Sequence, residues 1–171
     1  METWDAIRSR RNVRNFADRP IPAEHLERVL EAGRRSPSSQ NWQPWDFVVV
    51  TDRGALRELS RVWQGAGHVA TSAATIALIA PVPQNDRQRD WIHYDFGQAT
   101  MSMMLAAVDL GIGSGHSAVE DQELARRLLG FPDDRFAQSL IAMGYPADRP
   151  LTPILRPNRR PFEDVVHWGR W

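Results

Sequence analysis

The stretch "SPSSQNWQPWDFVVV", residues 36–50, sets three serines, three side-chain amides, two prolines and two tryptophans ahead of a β-branched run. The run "DFVVVTD" reads as a buried strand, because Val and Phe suit a pleated, packed surface. A turn into a strand needs only a few polar residues. The stretch is therefore either an untidy loop or a segment that grips a ligand. Upstream, "IPAEHLERVLEAGRR" predicts a helix, with Pro22 in its first turn and Glu24 and Glu27 near its positive end. Leu26, Val29 and Leu30 form its apolar stripe, and Gly33 with the Ser36–Pro37 step is expected to end it.

Downstream, Asp52 is placed to cap "RGALRELSRVW", whose stripe is Leu56, Leu59 and Val62 or Trp63. "ATIALIAP" does not alternate and predicts a second strand buried on both faces. Residues 91–110, "WIHYDFGQATMSMMLAAVDL", predict a helix apolar nearly all round, stopped by Gly111, with Met101, Met103 and Met104 in the core. "DQELARRLLG" predicts a short helix with Leu124, Leu128 and Leu129 inward, and "FAQSLIAMGYP" a third strand. "TWDAIRSRR" predicts a helix capped by Thr3. Helices interleaved with strands give a layered α+β or α/β domain.

At 171 residues the chain is read as a single domain, 1–171, able to bury a sizeable core. The net charge is zero, so no global field favours nucleic acid or an anionic membrane. Cysteine is absent, which excludes disulfides, thiolate catalysis and sulfur-built zinc sites. "METWDAIRSRR" lacks an apolar signal core, and no segment approaches the roughly 20 apolar residues of a membrane span, so a soluble, cytoplasmic chain is expected.

Two arginine clusters stand out. "RSRRNVRNF" holds Arg8, Arg10, Arg11 and Arg14, and "RPNRRPF" adds Arg156, Arg159 and Arg160. They read as two solvated basic patches or as one anion clamped from both ends, since the guanidinium fork suits two phosphate oxygens. Asn41 and Gln43 beside rings suit a planar heterocycle that alternates donors and acceptors, while Trp42 and Trp45 read equally as core. "GIGSGHSAV" lets main chain approach a ligand, yet its spacing is not a dinucleotide fingerprint and it follows a helix. It reads equally as a helix stop. The five histidines show no metal-binding spacing, and His116 alone merits attention. Asp95 and Asp109 read as caps or buried hydrogen-bond partners.

Taken in order, "RSRRNVRNF", "SPSSQNWQPWDFVVVTD", "LGIGSG", "MGYPADRP" and "RRPFEDVVHWGRW" resemble the FMN-dependent nitroreductase family across nearly the whole chain. The most specific motifs are Arg-(Arg/His)-Ser-x-(Arg/Lys)-x-Phe and Pro-Ser-x-x-Asn-x-Gln-Pro-Trp. The resemblance implies an α+β three-layer fold, a central mixed or antiparallel sheet flanked by helices, in an intertwined homodimer. The tail, about 150–171, would wrap the partner subunit.

It further implies that Arg10 and Arg11 meet the FMN phosphate and ribityl end with Arg159, and less directly Arg160. Asn12 takes the motif's serine position, and Arg14 lies near N1 and O2 of the ring. Pro37, Ser38, Ser39 and Asn41 would reach the flavin from the second subunit, with Gln43 in support and the tryptophans as walls. Ser114, Gly115 and His116 fall where family backbone approaches the N5 and O4 edge. The implied activity is ping-pong hydride transfer, with NAD(P)H as transient donor and a nitroaromatic, quinone or similar conjugated compound as acceptor. No side chain is required as a catalytic acid or base. A storage or sensor flavoprotein, or a specialised flavin reaction (dehydrogenation, dehalogenation, flavin breakdown), remains open. The chain departs from the family in its short connection over residues 80–93, which leaves little to roof a flavin, and in His116 and Ser117 after Gly115.

Overall fold

The computed structural model describes residues 1–171. Five α-helices are formed: α1 (Thr3–Ser9), α2 (Ala23–Arg34), α3 (Arg53–Leu59), α4 (Asp86–Asp109) and α5 (Gln122–Leu129). Four strands, β1 (Asp46–Val50), β2 (Ala74–Pro81), β3 (Gly113–Ser117) and β4 (Arg135–Gly144), make one antiparallel sheet in the order β1-β2-β4-β3. β2 pairs Ala77 with Val48 of β1 and with Leu140 of β4.

The alternation of β2 divides the core. Ala74, Ile76, Leu78 and Ala80 join Val29 of α2 and Ile92, Phe96 and Met103 of α4 in one cluster. Ala77 and Ile79 join Leu56 and Leu59 of α3 and Leu124 and Ala125 of α5 in the other. Both faces of β2 are thus buried, as its unbroken apolar run requires, and the molecule is a three-layer α+β fold. α4 carries apolar residues all round because α2, the sheet and α1 pack on it from different sides.

Local chemistry sets several boundaries. Asp52 accepts from Ala55 N at 2.8 Å and caps α3. Asn85 caps α4 by accepting from Gln88 N, so that helix begins at Asp86, earlier than the apolar pattern suggested. Gly111, at φ +72°, follows the end of α4.

Four sequence expectations are corrected. Thr3 is the first residue of α1, with Glu2 at the cap position and no side-chain cap. Gly33 lies inside α2: a Cβ there would stand 2.8 Å from Met103 Cγ, so the glycine serves close helix packing and does not end the helix. Met101 is 44% exposed while Met103 and Met104 are buried, because Met101 faces away from the sheet. Finally, "GSGHS" forms the edge strand β3. Its residues have little strand propensity, and pairing with β4 imposes the conformation.

Residues 146–171 hold only a short 3-10 turn, Phe162–Asp164. The first part is tied down by Ala147 N to Asn15 O (3.0 Å), Arg11 Nη2 to Thr152 O (2.7 Å) and Ile154 N to Arg8 O (3.0 Å). The last part projects outward, with Trp168 86% and Trp171 99% exposed. No helix is long and apolar enough to cross a membrane.

Candidate functional site

The chain leaves α1 at Arg10 in extended backbone and runs along the outer edge of β3. Val13 N donates to Ser114 O at 2.9 Å, and Asn12 bridges Ser114 in parallel. The contact is tight because Gly115 has no side chain: a Cβ there would lie 2.5 Å from Val13 O. β3 thereby acts as a rail that fixes where residues 10–14 send their side chains.

Those side chains divide between two cavities. One of about 710 Å³ is lined by Arg8, Arg10 and Arg159 together with Trp4, Met101 and Leu155, among others. It brings residues from the two ends of the chain together. The other, about 290 Å³, is lined by Arg11, Asn12, Arg14, Asn15, Asp148 and Arg149, with Val13 as its single apolar residue. Arg10 contacts Asn12 Oδ1 at 3.5 Å, and Arg11 uses donors on Thr152 O and, at 3.5 Å, Ser9 O. Arg8 pairs with Asp5, whereas Arg10, Arg11, Arg14 and Arg159 make no ion pair. Arg160 turns away and donates to Asp164 O at 2.7 Å.

The segment 36–43 lies on α4 instead. Asp95, fully buried, accepts from Ser39 N through both carboxylate oxygens at 3.0 Å and from Ser39 Oγ at 3.1 Å. Ser36 Oγ donates to Ser102 Oγ at 2.9 Å, and Ser38 Oγ accepts from Gln43 N at 2.9 Å. Gln43 Nε2 donates to Asn41 O and Oδ1, both at 3.2 Å. These bonds hold Gln40, Asn41 and Gln43 at φ of 54°, 57° and 53°, left-handed positions costing on the order of 1 kcal/mol or more each outside glycine. Within one chain this turn does not join the arginine cavity. Pro37 lines a shallower cavity with Tyr94 that shares Met101 and Leu105 with the arginine cavity, so the two form one groove along α4. Gln43 lines a different cavity, with Trp45 and Phe47.

Of its two readings, flavin wall or core, Trp45 takes the second. It is 8% exposed, stacks on Phe47 (centroids 6.5 Å) and meets Phe96 edge-on (6.4 Å), which makes it core. His116 is exposed, whereas His68 is buried with Nε2 3.3 Å from Gly115 O. Burial, with Arg14 adding cationic repulsion, holds the His68 imidazole below its ordinary pKa. Asp95, His68 and Arg149 were not among the predicted site residues. A lone carboxylate in an apolar helix was the available signal for Asp95; the other two carried none.

The donor set fits a flavin mononucleotide. Arg10 and Arg159 in one cavity and Arg11 and Arg14 in the other make no ion pair and suit an anion, and Ser114 Oγ is buried with no partner in the chain.

Known proteins share this sequence pattern and fold. The nitroreductase family model matches residues 7–66 and 59–145. A protein of Archaeoglobus fulgidus, provisionally named an NADH dehydrogenase/NAD(P)H nitroreductase, is 32% identical over 99% of both chains. An NADH dehydrogenase of Thermus thermophilus is 30% identical over 98% of this chain and 96% of its own. The solved structure of an NADPH:FMN oxidoreductase from Vibrio harveyi, complexed with NAD+, superposes with a TM-score of 0.84 at 25% identity, covering 99% of this chain and 77% of that one.

Proposed function

This chain belongs to the nitroreductase family and is an NAD(P)H-dependent flavin oxidoreductase; from that premise we propose that FMN is its cofactor and conjugated nitro or quinone compounds are its acceptors. FMN, when bound, would supply the hydride chemistry between NAD(P)H and the acceptor. Arg10 and Arg159 hold the phosphate, with Arg11 fastening the tail carbonyl at Thr152 beside them. Arg14 and Asn12 would meet the pyrimidine side, and Ser114, Gly115 and His116 would offer main chain to the ring edge.

The observation that carries this reading is the cavity uniting Arg10 and Arg159, from opposite ends of the chain, beside apolar side chains. A flavin needs that combination of anion grip and ring surface. Its apolar lining also supports a homodimer. Trp4, Met101 and Leu155 are left exposed along the groove that continues to Pro37. A second copy laid on this groove brings its own Pro37, Ser38, Ser39 and Asn41 to the flavin, with Gln43 bracing the turn and residues 150–171 wrapped over the partner. Within each subunit, residues 1–171 act as one FMN-binding domain. Only residues 82–85 separate β2 from α4, which would leave little chain to cover a bound flavin against planar acceptors.

The test is direct. The purified dimer is yellow, releases FMN on denaturation, bleaches anaerobically with NADH or NADPH, and recolours when a nitroaromatic or quinone is added. A colourless protein that gains no flavin on reconstitution contradicts the proposal.

A further inference from the structure

The edge strand β3 leaves one main-chain donor free. Val13 N donates to Ser114 O at 2.9 Å, so Ser114 turns its polar backbone groups to the outer edge of the strand. Alternate residues of an extended strand point those groups the same way, and His116 therefore presents its N–H on that edge too. Pairing of the arginine segment with β3 stops at the Asn12–Ser114 bridge, and no hydrogen bond from the segment reaches His116 N.

The opposite end of the same peptide unit is held from the interior. His68, on the 3-10 turn Gly67–Thr71, is 8% exposed and stands with Nε2 3.3 Å from Gly115 O. A carbonyl oxygen only accepts, so Nε2 carries the proton, while Nδ1 is buried without a hydrogen-bond partner. Burial, and then the cations at Arg14 and His116, oppose a second proton on this ring. The approach depends on Gly115, since a Cβ there would lie 3.2 Å from both Cδ2 and Nε2 of the imidazole. An apolar side chain could fill this space without burying a polar nitrogen, so the bond to Gly115 O is what accounts for a histidine here.

Resting on the proposed function, we propose that His68 is a positioning residue for the flavin: by donating Nε2–H to Gly115 O it fixes the Gly115–His116 peptide with His116 N–H aimed at the ring edge. The peptide is planar, with its C=O and N–H opposed, so a donor on the oxygen sets the direction of the N–H. It also strengthens that N–H, because hydrogen bonds in a chain polarise one another. His68 itself touches no part of the flavin.

Nitrogen-15 NMR of the purified protein is expected to show His68 as the neutral Nε2–H tautomer, and an Nδ1–H tautomer overturns the proposal. Two variants then separate the bond from the packing. His68→Gln places an amide nitrogen at the reach of Nε2, whereas His68→Asn stops at the reach of Nδ1. FMN and riboflavin are titrated into each apoprotein, and the visible spectrum of bound FMN is recorded. In His68→Asn both flavins lose the same factor, at least about three-fold, as one weakened hydrogen bond at the ring provides. The visible band of bound FMN shifts in this variant. In His68→Gln the affinities stay within about two-fold of wild type and the band returns to its place. Two variants that behave alike, or a loss confined to FMN, overturn the role of His68 while leaving the flavin reading intact. Wild-type protein that takes up neither flavin sinks both.

Discussion

The turn at residues 36–43 and the arginine segment at residues 8–15 approach the same groove on α4 in opposite states. In the turn, polar groups partner one another or α4: Ser39 to Asp95, Ser36 to Ser102, Ser38 to Gln43. In the segment the backbone is fixed on β3, yet Arg10 and Arg14 have no acid, and the buried Ser114 Oγ on β3 has no partner. The first region stores strain and holds a shape. The second stores unneutralised charge and awaits an anion. A site built this way binds by charge on one side and by preset geometry on the other, which lowers the ordering cost of binding.

Breaking the preset side has the largest effect. Asp95→Ala leaves the half-buried Ser39 N–H and hydroxyl without their acceptor, at about 1–3 kcal/mol per group. Urea unfolding is expected to show a loss of about 2–5 kcal/mol, and a loss below about 1 kcal/mol would show that the turn does not depend on α4. Next comes the rail under the charged side. Gly115→Ala sets a methyl against Val13 O and is expected to cost about 1–3 kcal/mol in the same assay, with weaker FMN retention.

A pH test follows. The His68 pKa is lowered in the folded protein from its ordinary value of 6.5, so below that pH the unfolded chain takes up the proton first. Stability therefore falls as pH drops from about 6.5 toward the lower folded value, and is flat above it. His68→Asn flattens this slope in thermal melts across that window; an unchanged slope would place the effect elsewhere. The smallest change is Arg160→Ala, whose guanidinium serves its own tail carbonyl. FMN affinity measured by flavin fluorescence is expected to stay within about two-fold, since exposed surface substitutions stay within about 0.5 kcal/mol. A loss matching that of Arg159→Ala would mean both arginines face the phosphate.

The legibility of the fold followed the same division. The apolar runs of β1, β2 and β4 and the stripes of α2, α3 and α5 were readable because burial is local in such segments, whereas the three-layer arrangement came from the family resemblance. β3 was not. A strand of Gly, Ser and His exists because β4 on one side and Val13 on the other impose it, and no window of sequence contains both. The arginine clusters were visible as charge, but their separation into two cavities depends on the extended backbone along β3. Likewise Arg160, adjacent to Arg159, turns to Asp164 for a reason confined to the folded tail.

The central claim is that Arg10 and Arg159 grip a phosphate beside a flavin-sized apolar surface. Parallel titrations of the apoprotein with FMN and with riboflavin, in wild type and in the Arg10→Ala/Arg159→Ala double variant, test it most directly. The account predicts FMN binding at least about 100-fold tighter than riboflavin, with the gap closing to a few-fold in the double variant. Equal affinities in wild type, or a gap that survives removal of both arginines, would contradict it.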